Sequence, residues 1–121
     1  MLNKFWFCVF LVCLISCSDN KSISIPDDVL PKDKMAAVMV DLHLLEASIN
    51  VTGVGPRNGD IDFPGKSIPL DINVLKNNNI TKVQFEDSFR FYTNNPQLLS
   101  EVYQLVLNDL SKMQAELSKK K

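Results

Sequence analysis

The architecture of this chain turns on residues 35–51, MAAVMVDLHLLEASINV. At about 100° per residue this stretch is apolar on two opposite sides and polar along two narrow seams. Met35, Val38, Met39, Leu42, Leu45 and Ile49 share one face, and Ala36, Ala37, Val40, Leu44, Ala47 and Val51 populate the other. A helix of that kind is covered by neighbours on more than one side, which places it at the centre of a bundle. Asp33 is the expected N-cap and Gly53 the expected stop. One polar seam holds the only histidine, His43, together with Glu46 and Asn50. Glu46 falls inside the first apolar stripe, so its carboxylate is expected either at a wet end or buried with a partner. His43 or a tyrosine (Tyr92 or Tyr103) would serve as that partner.

Further helices follow downstream. Residues 69–76 read as a short helical piece stopped by Asn77, Asn78 and Asn79, since Asn tolerates the left-handed conformation. Thr81 and Gln84 form a capping box, and Ile80 can staple onto Phe85. The next helix presents Phe85, Phe89 and Tyr92 on one side with the small Ser88 among them. Asn95 followed by Pro96 is an N-cap with proline at the first helical position. Leu99, Val102, Val106, Leu110, Met113 and Leu117 then recur at spacings of three and four, flanked by Tyr103 and widened by Leu105 and Leu107. Residues 52–68, with Gly53, Gly55, Gly59, Gly65, Pro56 and Pro64, read as a long loop without strand patterning. The fold class is therefore all-α, a small three-to-four-helix bundle over residues 35–121.

The 121 residues carry a net charge of −1. That balance gives no basic surface of the kind nucleic acid needs, and no nucleic-acid partner is expected. Cys8, Cys13 and Cys17 are the three cysteines, all near the start. A disulfide framework would distribute them through the fold, so that class is set aside. Residues 5–15 are an apolar run behind Lys4, too short to cross a bilayer and of the length of a signal-peptide core. Four of the chain's ten aromatics, Trp6 included, lie in residues 1–16 and are not counted toward the core.

The junction Leu14-Ile15-Ser16-Cys17 resembles the lipobox of bacterial lipoproteins: a branched apolar residue at −3, a small residue at −1, then cysteine. The resemblance implies cleavage between Ser16 and Cys17 and acylation, with chains such as palmitate, on Cys17. A thiolate is nucleophilic enough to form the required thioether, and two or three acyl chains hold a protein on a membrane without a spanning helix. Residues 1–16 would be the signal peptide, and residues 17–34, with Pro26 and Pro31, a tether. At about 3.3 Å per residue that tether reaches at most some 50 Å. Localisation would be the outer membrane, lipid-anchored and facing the periplasm, with surface exposure a further option given Asp19.

The order of motifs after the anchor is Asp41-Leu42-His43-Leu44-Leu45-Glu46-Ala47, Val74-Leu75-Lys76, Asn79-Ile80-Thr81, Phe85-x-x-Ser88-x-x-x-Tyr92, Asn95-Pro96-x-Leu98 and Val102-Tyr103-x-x-Val106. This order resembles the small Bacteroidota lipoproteins grouped as domain of unknown function 4296. The likeness covers essentially the whole chain and implies fold and location; it brings no activity with it. Leu70 and Asp71 stand where that family often has an aromatic.

Phosphate-binding glycine loops, paired-histidine or paired-cysteine zinc sites and the serine nucleophile elbow are all absent from the sequence. Asp60-x-Asp62 lacks the glycine and later glutamate of a calcium loop, so no metal and no cofactor is expected. The expected function is a non-enzymatic, lipid-anchored binding or assembly module with an envelope-protein partner. The alternative is a small-molecule or metal binder using His43, Glu46 and Asn50, whose i,i+3 pair reaches one ligand from one helix.

Overall fold

A computed structural model of the chain describes residues 22–54, 59–63 and 66–121. The expected signal peptide, residues 1–16, and the expected cleavage junction at Ser16 and Cys17 lie outside them. Four helices are seen among the described residues: α1 (Lys32–Thr52), α2 (Ile72–Asn77), α3 (Lys82–Thr93) and α4 (Pro96–Lys119). The fold is an all-α bundle. α1 packs most extensively against α4 and also against α2, and α3 packs against α4 and α2.

The stretch read as a loop also contains a short hairpin, β1 (Asp60–Phe63) paired antiparallel with β2 (Lys66–Pro69). Asp60 pairs with Pro69, Ile61 with Ile68, Asp62 with Ser67 and Phe63 with Lys66. Strands of four residues are too short for an alternating pattern to stand out, and β2 gains its support by lying against α1. Asp60 and Asp62 therefore lie on extended backbone. Leu70 N–H closes the hairpin base on the Gly59 carbonyl at 2.8 Å.

α1 begins earlier than its capping pattern suggests. Pro31 is the N-cap, in extended backbone and without a side-chain cap, while Asp33 sits in the first turn. There its carboxylate faces the positive end of the helix dipole. At the other end Gly53 adopts φ 68°, and its N–H bonds the Ile49 carbonyl at 2.8 Å. Helix α1 is long and apolar enough to pass for a membrane span by length and composition. Met35, Ala36, Val38, Met39, Val40 and Leu42 are instead sealed inside the bundle, which makes it the core helix.

α2 starts at Ile72, three residues later than expected, because Pro69 belongs to β2. Asp71 caps it by accepting from Asn73 N–H at 2.8 Å. That gives a role to one of the two residues standing where an aromatic was expected. The helix ends at the asparagines in a complete Schellman motif. Asn79 takes φ 55°; its N–H bonds Lys76 O at 2.9 Å and Ile80 N–H bonds Leu75 O at 3.0 Å. Asn78 between them is buried and ties α2 to α1. Its Nδ2 donates to Asp41 Oδ2 at 2.7 Å and to Val74 O at 3.0 Å, and Lys34 Nζ donates to its Oδ1 at 3.4 Å.

Thr81 caps α3, accepting from Gln84 N–H at 3.1 Å. Phe85, Ser88, Phe89 and Tyr92 are buried, with the Phe85 and Phe89 rings stacked at 6.3 Å. Asn95 does precede Pro96 as the N-cap of α4, yet its side chain makes no cap there. It reaches back instead, donating to the Phe91 carbonyl at 2.7 Å and satisfying the end of α3. With proline at the first position the N-terminus of α4 already has one fewer orphan donor.

The chain before α1 also belongs to the fold. Val29 and Leu30 are buried with the core. A turn from Pro26 O to Val29 N–H (3.1 Å) shapes this segment, and α3 grips Leu30 by both backbone groups. Leu30 N–H donates to Ser88 Oγ at 2.9 Å, and Tyr92 Oη–H donates to Leu30 O at 2.7 Å. Ser88 and Tyr92 lie one helical turn apart, so two side chains of one helix do for an isolated backbone what a neighbouring strand would do in a sheet. The tether expected over residues 17–34 thus gives way to folded chain at about Pro26.

Candidate functional site

The second half of α1 carries the polar seam. His43 Nδ1 and Glu46 Oε2 stand 3.7 Å apart, both side chains partly buried, and Asn50 is exposed. At that separation the pair is an ion pair when the imidazole is protonated, and it is longer than a good hydrogen bond. Tyr92 is not the partner of Glu46, because its one proton is committed to Leu30 O. Burial raises the Tyr92 hydroxyl above its ordinary 10.0, and the nearby Asp33 carboxylate adds to the effect. Asp41, turned away from His43, is held by Asn78. Among the described residues no group of three or more His, Cys, Asp and Glu side chains is arranged to hold a metal ion. His43 and Glu46 supply two donors from one helix, fewer than the three or four of a zinc site.

Two-sided cover of α1 holds only for its first half. Ala36 and Val40 are buried on the second face, but further along the same face Leu44 and Ala47 are exposed and Val51 is 86% exposed. Val54, just beyond the helix, is 79% exposed. Apart from Glu46, residues 44–54 carry no charged side chain, so this is an apolar and nearly uncharged strip on the surface. Sequence periodicity identifies such residues as a face and is silent on whether anything in the same chain covers it.

A shallow groove of about 310 Å³ lies where the start of α1 meets α4, lined by Lys32, Asp33, Glu101, Gln104, Leu105 and Asn108. Lys32 Nζ and Glu101 Oε2 form an ion pair across it. The two residues are 69 positions apart, and no local pattern announces their meeting. A half-exposed pair of this kind adds at most about 1 kcal/mol. Every buried side-chain nitrogen and oxygen among the described residues has a partner, so no polar group inside the bundle is left aimed at a ligand.

Fold and surface together define a small helical module with an apolar core, its buried polar atoms all paired, and apolar helix faces left uncovered among the described residues. The chain belongs to the family described as Domain of unknown function (DUF4296), which matches residues 26–116. The match begins at Pro26, where the folded region begins. No curated protein and no solved structure matches the chain.

Proposed function

We propose that this protein is a lipid-anchored lipoprotein of the bacterial envelope, of the Bacteroidota type, acting as a non-enzymatic binding or assembly module. Acylated Cys17 holds it on the periplasmic side of the outer membrane, and an envelope protein docks on the exposed face of α1. The observation that carries the reading is the uncovered strip Leu44, Ala47, Val51 and Val54. Leu44, Ala47 and Val51, at spacings of three and four, present one stripe with Val54 just past the helix end, the pattern by which a helix is read by an apolar groove or a second helix. Isolated exposed apolar residues need no explanation, whereas a contiguous run along one helix marks an interaction surface.

Site-specific photo-cross-linking in intact cells tests this. A photoreactive residue at Val51 is expected to give a discrete adduct with a membrane-fraction protein, and the same residue at Gln104 to give none. Equal, diffuse cross-linking from both positions refutes the reading. Metabolic labelling with an alkyne fatty acid tests the anchor separately; label retained in Cys17→Ala refutes it. A second reading, a small-molecule or metal binder at His43 and Glu46, draws on their 3.7 Å approach. Zinc or nickel binding unchanged in His43→Ala would dismiss it.

A further inference from the structure

The far end of α4 carries an apolar stripe that nothing among the described residues covers. Leu99, Val102 and Val106 begin the stripe inside the bundle, with Val102 and Val106 fully sealed. Leu110, Met113 and Leu117 continue it along the same side at spacings of three and four. From residue 111 to residue 121 every side chain is exposed, Leu117 to 68%, and Leu107 at 63% widens the strip. Residues 111–119 project for roughly 13 Å at 1.5 Å per residue. Good helix formers (Lys112, Met113, Gln114, Ala115, Glu116, Leu117) keep this segment helical without packing, helped by the Lys112–Asp109 pair at 3.5 Å.

Charge is unevenly divided along the chain. Residues 111–121 hold Lys112, Lys119, Lys120 and Lys121 against Glu116, a side-chain balance of +3, while the whole chain is −1, so the remainder is −4. At about 100° per residue Lys112 and Lys119 fall on the side opposite the Leu110, Met113 and Leu117 stripe. An apolar stripe backed by a lysine-bearing face is the make-up of a helix lying in a membrane interface. The lysines complement anionic headgroups, each contributing about 1 kcal/mol close to the surface. A second copy of the chain fits less well. Leu110 still packs on the core, so the uncovered stripe at Met113 and Leu117 is shorter than one heptad, against the three or four of a coiled coil.

Resting on the anchored reading above, we infer that residues 107–121 dock on an anionic lipid bilayer, forming a second membrane contact beside the acyl chains. Folded chain starts at about Pro26, so residues 17–25 allow at most roughly 30 Å between anchor and domain. Lys32 at the start of α1 meets Glu101 of α4, and from Glu101 to the helix end at Lys119 is about 27 Å, so that end lies within reach of the membrane that holds Cys17. One lipid anchor is commonly reinforced by a basic patch in this way.

The test uses the purified acylated lipoprotein in vesicles, with an environment-sensitive dye on Gln114→Cys, which flanks the stripe, and a control dye on Val83→Cys in α3. With phosphatidylglycerol present, the dye at 114 is expected to be quenched by brominated lipid and shielded from iodide, and the dye at 83 to remain open. Met113→Ser with Leu117→Ser, both at exposed positions, should abolish the shielding. Replacing Lys119, Lys120 and Lys121 by Gln should weaken docking roughly a hundredfold. Equal iodide access at 114 and 83 on an acylated protein overturns the docking and leaves the anchor standing. Shielding that ignores lipid charge and rises with protein density indicates self-association and also overturns it. A preparation without acyl label on Cys17 overturns the anchor and this inference together.

Discussion

Tyr92→Phe removes one oxygen from the centre of the molecule and should be felt by the whole domain. Tyr92 and Leu30 are both sealed from solvent, and the phenol donates to the Leu30 carbonyl at 2.7 Å. The substitution deletes a hydrogen bond of about 1 kcal/mol net and leaves a buried acceptor whose desolvation costs a further 1–3 kcal/mol, in total about 2 kcal/mol after relaxation. For a domain of roughly 90 residues the unfolding entropy is about 190 cal/mol/K, so Tm should fall by about 10 °C. Urea titration followed by far-UV circular dichroism measures this, with m unchanged. The variant also isolates a pH effect. The native state holds the phenolic proton more tightly than the unfolded chain, for which the ordinary value is 10.0. The contribution is therefore fully present below that pH and is lost as pH rises toward the raised native value. Its slope is at most about 1.4 kcal/mol per pH unit. Wild type should lose stability above pH about 10 faster than Tyr92→Phe, which lacks this phenol and is otherwise the same chain. A variant within about 0.5 kcal/mol of wild type, with the same alkaline slope, would show that α3 does not clamp the chain at Leu30.

Four further outcomes follow from the packing. Asn78→Asp places a carboxylate where Nδ2 now meets Asp41 at 2.7 Å; at neutral pH it should destabilise more than Asn78→Ala, whose cost is about 2 kcal/mol, and the gap should narrow as the urea midpoint is measured at falling pH. Gly53→Ala should cost about 1–2 kcal/mol for the left-handed backbone alone, because an added Cβ meets nothing within 4 Å. Asn79→Gly, at φ 55°, should be neutral or stabilising in the same thermal melts. Val102→Ala, at a fully buried position, should cost about 2 kcal/mol, whereas Leu117→Ala should fall within about 0.5 kcal/mol of wild type by denaturant titration.

Local chemistry made the helices legible. The 3.6-residue recurrence of apolar side chains in residues 35–51 and 99–117, the Thr81 cap, Pro96 and the three asparagines are each written within a few positions of the element they shape. For that reason α1, α3 and α4 lie close to where the sequence puts them, and the all-α class holds. The two four-residue strands were not legible, because pairing with each other and support from α1 stabilise them more than any pattern of their own. The His43 and Glu46 pair was legible for a similar local reason, being one turn apart on one helix. The groove at Lys32 and Glu101 was not, since it joins distant parts of the chain.

The sequence by itself determined the helix class, the helix stops and the composition of each face, all properties carried by neighbouring residues. Tertiary structure alone decided which faces are covered. It drew Val29 and Leu30 out of a presumed tether into the core through Ser88 and Tyr92. It turned Asn95 back onto α3, and it left Leu44 and Val51 on α1, with Met113 and Leu117 on α4, open to water. Burial depends on where elements 50 or more residues apart come to rest, and periodicity along one helix contains no information about that.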